Sequence, residues 1–153
     1  MKRGLLISLT AVITMLSLNV SAQAEISITQ VTTNSYEDGS ALIEHDRLVW
    51  QGRVGGDWEI FLYNVATGGD PLQITDNAYS DLSPQTDGNY LVWLGFSQPD
   101  SEIFLPGGEI FLYNILNGDT TQITNDNNLD SPPKIANGKV VWASHEVTDS
   151  VEP

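Results

Sequence analysis

The chain has no cysteine, so no disulfide staples it and no lipid is attached through a thiol. Its stability must come from packing and hydrogen bonds. Basic residues are scarce as well: six Lys and Arg stand against 20 Asp and Glu, for a formal charge of −14. So acidic a surface repels phosphate, and no nucleic acid or anionic lipid surface is an expected partner. Cations and basic protein surfaces remain compatible, as does a plain solubilising role for the acidity. The chain has only two histidines, His45 and His145, as candidates for acid–base work near neutral pH. No Gly-x-Ser-x-Gly, His-Glu-x-x-His or phosphate-cradling glycine loop occurs, which points away from catalysis. Beyond the N-terminus there is no helical periodicity and no apolar run long enough to cross a bilayer.

What is present begins with a targeting pattern. Lys2 and Arg3 precede a mostly apolar stretch from Leu5 to Val20, and Ala22-Gln23-Ala24 fits a small-x-small cleavage site. Residues 1–24 are expected to be a signal peptide, with a periplasmic or secreted product that carries no membrane anchor after cleavage. The remainder keeps all 20 acidic residues and only Arg47, Arg53, Lys134 and Lys139 as bases.

The rest of the chain repeats in a fixed frame. Gln30, Gln73 and Gln122 each open a Gln-(Val/Ile)-Thr triplet, and Trp50, Trp93 and Trp142 each close a (Leu/Val)-Val-Trp triplet 20 residues later. Between them lie hairpin turns: Glu44-His45-Asp46, Asp87-Gly88-Asn89 and Ala136-Asn137-Gly138. Glu-Ile-Phe-Leu-Tyr-Asn then occurs twice without change, at 59–64 and 109–114, and alternates as a strand does. Four short antiparallel strands per unit make an all-β fold of β-propeller-type blades. The chain supplies about 11 strands in an incomplete ring: an outer strand at Ile26–Thr32, two whole units and half of a third. A ring ordinarily needs about 4–8 blades. Either the chain is part of a larger propeller or the ring closes between chains as a homodimer.

Ser83-Pro84 and Asp87-Gly88, the apolar Trp strand, Glu-Ile-Phe-Leu-Tyr-Asn and Gln-Ile-Thr together resemble the TolB-like β-propeller repeat family. The resemblance covers residues from about Ile26 to Ser144, within an expected repeat region 25–150 and ahead of a short tail, 151–153. The first copy departs most, with Ser40-Ala41 and neither Pro nor Gly in the matching places. The resemblance implies a propeller that presents loops to a periplasmic protein partner.

Candidate site residues follow from the frame. Asp38, Asp81 and Asp130 each lie 8 residues after the Gln, in the link between units. The expected role is to accept backbone N–H bonds and fix the turn. Asp76 with Asp81, and Asp126 with Asp130, also offer the hard oxygens that Ca²⁺ takes, though no known calcium loop matches. Trp50, Trp93 and Trp142 are expected to pack in the core, whereas Trp58 is expected in an exposed turn. His45 and His145 read as solvated surface groups. Glu109 lies 16 positions after Trp93, whereas Glu59 lies 9 after Trp50. The extra residues include Glu102-Ile103-Phe104-Leu105, and the loop Pro99 to Pro106 is the candidate contact surface.

The functional expectation is an exported, non-catalytic module that binds a protein or extracellular polymer through blade-end loops. Two alternatives stay open. The chain is a fragment of a carbohydrate-active or peptidase-associated propeller, or it is a calcium-stabilised cell-surface structural protein.

Overall fold

The computed structural model describes residues 28–96 and 108–147. The expected signal peptide, the Pro99 to Pro106 loop and the 151–153 tail lie outside these residues. Every regular element among the described residues is a strand. The first blade is a four-stranded antiparallel sheet of β1 (Asp38–Glu44), β2 (Arg47–Val54), β3 (Asp57–Asn64) and β4 (Leu72–Gln73), hydrogen-bonded in chain order. The second repeats it with β5 (Asp81–Thr86), β6 (Tyr90–Gly95), β7 (Glu109–Asn114) and β8 (Thr120–Gln122). The third is half a blade, in which β10 (Lys134–Ala136) pairs with β11 (Lys139–Val141) and β9 (Leu129–Asp130) pairs with β12 (Ser144–His145).

The sequence dictates these elements locally. β-branched and aromatic residues alternate along β2, β3, β6 and β7, so one set of side chains faces each neighbouring sheet. Trp50 pairs with Phe61 across β2 and β3, and Trp93 with Phe111 across β6 and β7. Each pair stacks, with ring centroids 5.4 and 5.6 Å apart. The core cluster is Val49, Ile60, Leu62, Leu91 and Trp93. It lies between the first and second sheets, the two four-stranded ones among the described residues.

The outer strands are short because a side chain finishes the ladder. The Thr75 hydroxyl accepts the Ile60 N–H at 2.8 Å, and the Thr124 hydroxyl accepts the Ile110 N–H at 2.8 Å. This is what the Thr of Gln-Ile-Thr does: it takes over from a backbone carbonyl where the strand ends. At the other edge, β1 and β5 each carry a bulge, marked by register shifts between Gly39 and Leu42 and between Leu82 and Gln85. Ser40 and Ser83 sit in these bulges at φ of 52° and 58°, a left-handed conformation that an L side chain adopts at some cost.

Two expectations about strands are corrected. The described part of Ile26–Thr32, residues 28–32, is in no strand. A Gln-Val-Thr segment becomes an outer strand only beside a third strand, and Gln30-Val31-Thr32 precedes the first one that the repeat supplies. The half-blade's two strands are each broken in two, with Ser131-Pro132-Pro133 interrupting one and Trp142-Ala143 the other. Proline has no N–H to give to a ladder.

Candidate binding surface

The three hairpin turns lie side by side along one end of the blades. His45 of the first hairpin approaches Gly88 of the second so closely that a Cβ on Gly88 would lie 3.1 Å from its Nδ1. Gly88 itself has a φ of 92°. Asp87 ties the second hairpin to itself and to the third. Its Oδ1 accepts the N–H groups of Asn89 and Tyr90 at 3.1 and 3.0 Å, and its Oδ2 accepts the Gly138 N–H at 2.7 Å. Burial alone would raise this carboxyl, but the N–H groups of Gly138, Tyr90 and Asn89 outweigh it and hold the group below its ordinary 3.8.

Between the first two hairpins opens a cleft of about 210 Å³, lined by His45, Asp46, Arg47, Asp87, Gly88 and Asn89. The Arg47 Nε is buried there without a hydrogen-bond partner. Such a donor favours a ligand that brings a carbonyl or carboxylate oxygen. His45 is an exposed hairpin residue with φ of 52°, its Nδ1 3.3 Å from Glu44 Oε1. His145 is exposed in β12.

Two of the repeated Asp residues, Asp38 and Asp81, have a different role from the one their spacing implied. They accept side-chain donors, above all the repeated Trp. Asp38 Oδ1 takes the Trp50 indole N–H at 3.1 Å, and Asp81 Oδ1 takes that of Trp93 at 2.8 Å. Asn34 and Asn77 each donate to the same carboxylates. The constant offset of 12 from Asp to Trp was the available signal, and it pairs two motifs that had been weighed separately. Burial raises the Asp81 carboxyl above 3.8, against the pull of Asn77, Thr75 and Trp93. Glu59 is likewise raised above 4.5, first by burial and then by Asp81 and Asp76, against Thr75 and Asn77. Its Oε1 accepts the Asn77 N–H and its Oε2 has no partner. Glu109 repeats this arrangement with the Asp126 N–H.

The third copy breaks the pattern. Asp130 is buried, yet neither of its oxygens has a partner, and Trp142 is 37% exposed where Trp50 and Trp93 are buried. The expectation of three core tryptophans therefore holds for two. Trp58 is corrected too: it lies in β3 opposite Arg53, half-buried beside Gly39. The calcium candidates Asp76, Asp81, Asp126 and Asp130 are not gathered into a site. Among the described residues no three acidic or His side chains are grouped to hold a metal ion.

Comparison with protein-family models and with curated proteins finds no match. Among solved structures, 11 chains match. One is a protein of Agrobacterium tumefaciens assigned as TolB, with a TM-score of 0.54 and 16% sequence identity. The fold is TolB-like. The likeness covers 78% of this chain and 47% of that one, so this chain spans about half the length of the protein it matches. At this identity the likeness concerns the fold alone.

Proposed function

We propose that the chain is an exported, non-catalytic module that holds a protein partner at its hairpin face. The observation that carries this reading is the joining of three hairpins into one surface through His45, Asp87 and Gly138. A rigid surface binds with little loss of conformational entropy. The cleft at its centre holds Arg47, one of the few cations in an acidic chain, with a buried donor free to take an acceptor. Its residues are hydrogen-bonding groups on backbone turns, a composition suited to recognising a protein loop. His45 stands exposed at the rim of the cleft beside Glu44.

The test immobilises the full chain on a biosensor and presents purified envelope proteins, then soluble polysaccharide, as separate analytes. The expected result is a retained protein whose affinity falls about ten-fold on Arg47→Ala, the loss of one charge-assisted hydrogen bond. Polysaccharide retained in place of protein, or protein binding indifferent to Arg47→Ala and Asn89→Ala, sinks the hairpin-face reading.

A further inference from the structure

The three hairpins meet at two junctions, and the two are closed differently. Aligned on their tryptophans, Glu44, Asp87 and Ala136 open the turns, and Asp46, Asn89 and Gly138 end them. At the second junction Asp87 crosses to the third hairpin, where its Oδ2 takes the Gly138 N–H at 2.7 Å. The first junction has no such bridge. Glu44, the counterpart of Asp87, turns to its own His45, and Asn89, the counterpart of Gly138, gives its N–H to Asp87. The cleft of about 210 Å³ opens at this unbridged junction.

Arg47 lines the cleft, and its guanidinium is the anomaly there. Its Nε is buried without a hydrogen-bond partner, and among the described residues no carboxylate pairs with it. Glu44 stands opposite Arg47 across the β1–β2 hairpin, yet its Oε1 lies 3.3 Å from His45 Nδ1 instead. A chain with 20 acidic residues and six basic ones thus leaves a half-buried cation without an anion. An unsatisfied buried donor is destabilising, and a carboxylate is the acceptor that a guanidinium fork fits best. Asn89 is exposed at the same cleft, with a side-chain amide as a second donor. Asp46 is exposed there too and makes the rim acidic. The volume lies below the roughly 300–1,000 Å³ of pockets that enclose a whole small molecule, so the space suits one inserted side chain or chain end.

We propose that the junction of the first two hairpins is a socket for one carboxylate of a partner protein, flanked by cationic residues. The carboxylate belongs to an Asp or Glu side chain or to a C-terminus. It sits against Arg47 and Asn89 and takes the place of the bridge that Asp87 supplies at the second junction. The cationic neighbours answer Asp46 at the rim and the net charge of −14, which turns away a segment acidic throughout. This rests on the hairpin-face reading above and names what that face recognises.

The test titrates the full chain with peptides capped at both ends, Lys-Glu-Lys, Lys-Gln-Lys and Ser-Glu-Ser, and with Lys-Gln-Lys left free at its C-terminus. Amide shifts in nuclear magnetic resonance read the affinity, and those of Gly88 and Asn89 read the place. Lys-Glu-Lys is expected to bind about ten-fold more tightly than capped Lys-Gln-Lys, the scale of one charge-assisted hydrogen bond. Arg47→Gln is expected to erase that difference, and Asp46→Asn to erase the preference for Lys-Glu-Lys over Ser-Glu-Ser. Free-ended Lys-Gln-Lys binding as tightly as Lys-Glu-Lys would extend the socket to a chain end. Binding no better than its capped form would confine the socket to a side chain, and the carboxylate is supported in both cases. The proposal is overturned if no peptide binds, if the Glu and Gln peptides bind alike, or if their difference survives Arg47→Gln. The Glu and Gln peptides are compared on the unaltered chain, so that outcome does not depend on how a variant folds. Envelope-protein capture that needs Arg47, with the Glu and Gln peptides bound alike, leaves the hairpin-face reading standing and overturns the socket. Capture indifferent to Arg47, with the Glu preference intact, sinks that reading and leaves the socket standing as a peptide site.

Discussion

β3 and β7 carry the same six residues, Glu-Ile-Phe-Leu-Tyr-Asn, yet they are buried differently. Phe61 is 5% exposed and Leu62 is buried, whereas Phe111 and Leu112 are only half-buried. The strands themselves are equivalent. Both stack the Phe on a Trp, bond the Ile N–H to a Thr and give the Glu an N–H. What differs is the neighbourhood. Tyr36 stacks on Phe61 at 6.1 Å, and β5 lies against β3. In the half-blade β10 lies against β5 and β6 rather than against β7, so β7 lacks the cover that β5 gives β3. Local sequence thus decides that a strand forms, and the next sheet decides how much that strand contributes to stability.

The comparison breaks most sharply at the tryptophans. Trp93→Ala removes a buried ring and leaves Asp81 without its indole donor, an expected loss of about 3–5 kcal/mol in urea unfolding. Trp142→Ala, at the same place in the half-blade, is expected to cost about 1 kcal/mol or less, because the ring is already partly in water and bonds to no carboxylate. Equal losses would mean that the half-blade packs like a full one. Between the identical strands the gap is smaller. Phe61→Ala is expected to exceed Phe111→Ala by about 1–2 kcal/mol in the same measurement.

A pH series sharpens the contrast further. Glu59 and Asp81 both bind protons more tightly in the folded chain than in the unfolded one. Their contribution is therefore full below their ordinary values of 4.5 and 3.8, and is lost as the pH rises through the higher folded values. Asp87 has the opposite sign: its contribution is present above 3.8 and lost as the pH falls through the folded value. Glu59→Gln is expected to flatten the fall in melting temperature above pH 4.5, and Asp87→Asn to lower it at neutral pH. An unchanged slope in Glu59→Gln would place the coupling elsewhere. The smallest effect is expected at the bulge of β5. Ser83→Gly relieves a left-handed side-chain residue and is expected to add about 0.5–1 kcal/mol, with the Ser83 N–H still bonded to Gln51.

Much of this fold was legible because period-2 patterning and turn chemistry are local. The Trp strands of the first two copies, the identical hexapeptides and the Asn137-Gly138 hairpin all fell where the residues put them. The Asp–Trp bonds were missed although their spacing was constant, because a hydrogen bond between two strands leaves no periodicity in either. The outer strand expected at Gln30-Val31-Thr32 failed for a related reason, since its motif names one side of a ladder and says nothing of the other. The exposure of Trp142 was hidden by the same logic. Its triplet matches those of Trp50 and Trp93, and only the change from Gly52 and Gly95 to Ser144 marks it as different.

The hydroxyls of Thr75 and Thr124 have a consequence for how such a chain grows. Because each accepts the N–H of Ile60 or Ile110 from within its own sheet, a blade finishes its hydrogen bonding before the next begins. Duplicating the stretch from one Gln-Ile-Thr to the next therefore inserts a unit that carries its own terminator. Repeat number becomes a quantity that selection adjusts by whole copies.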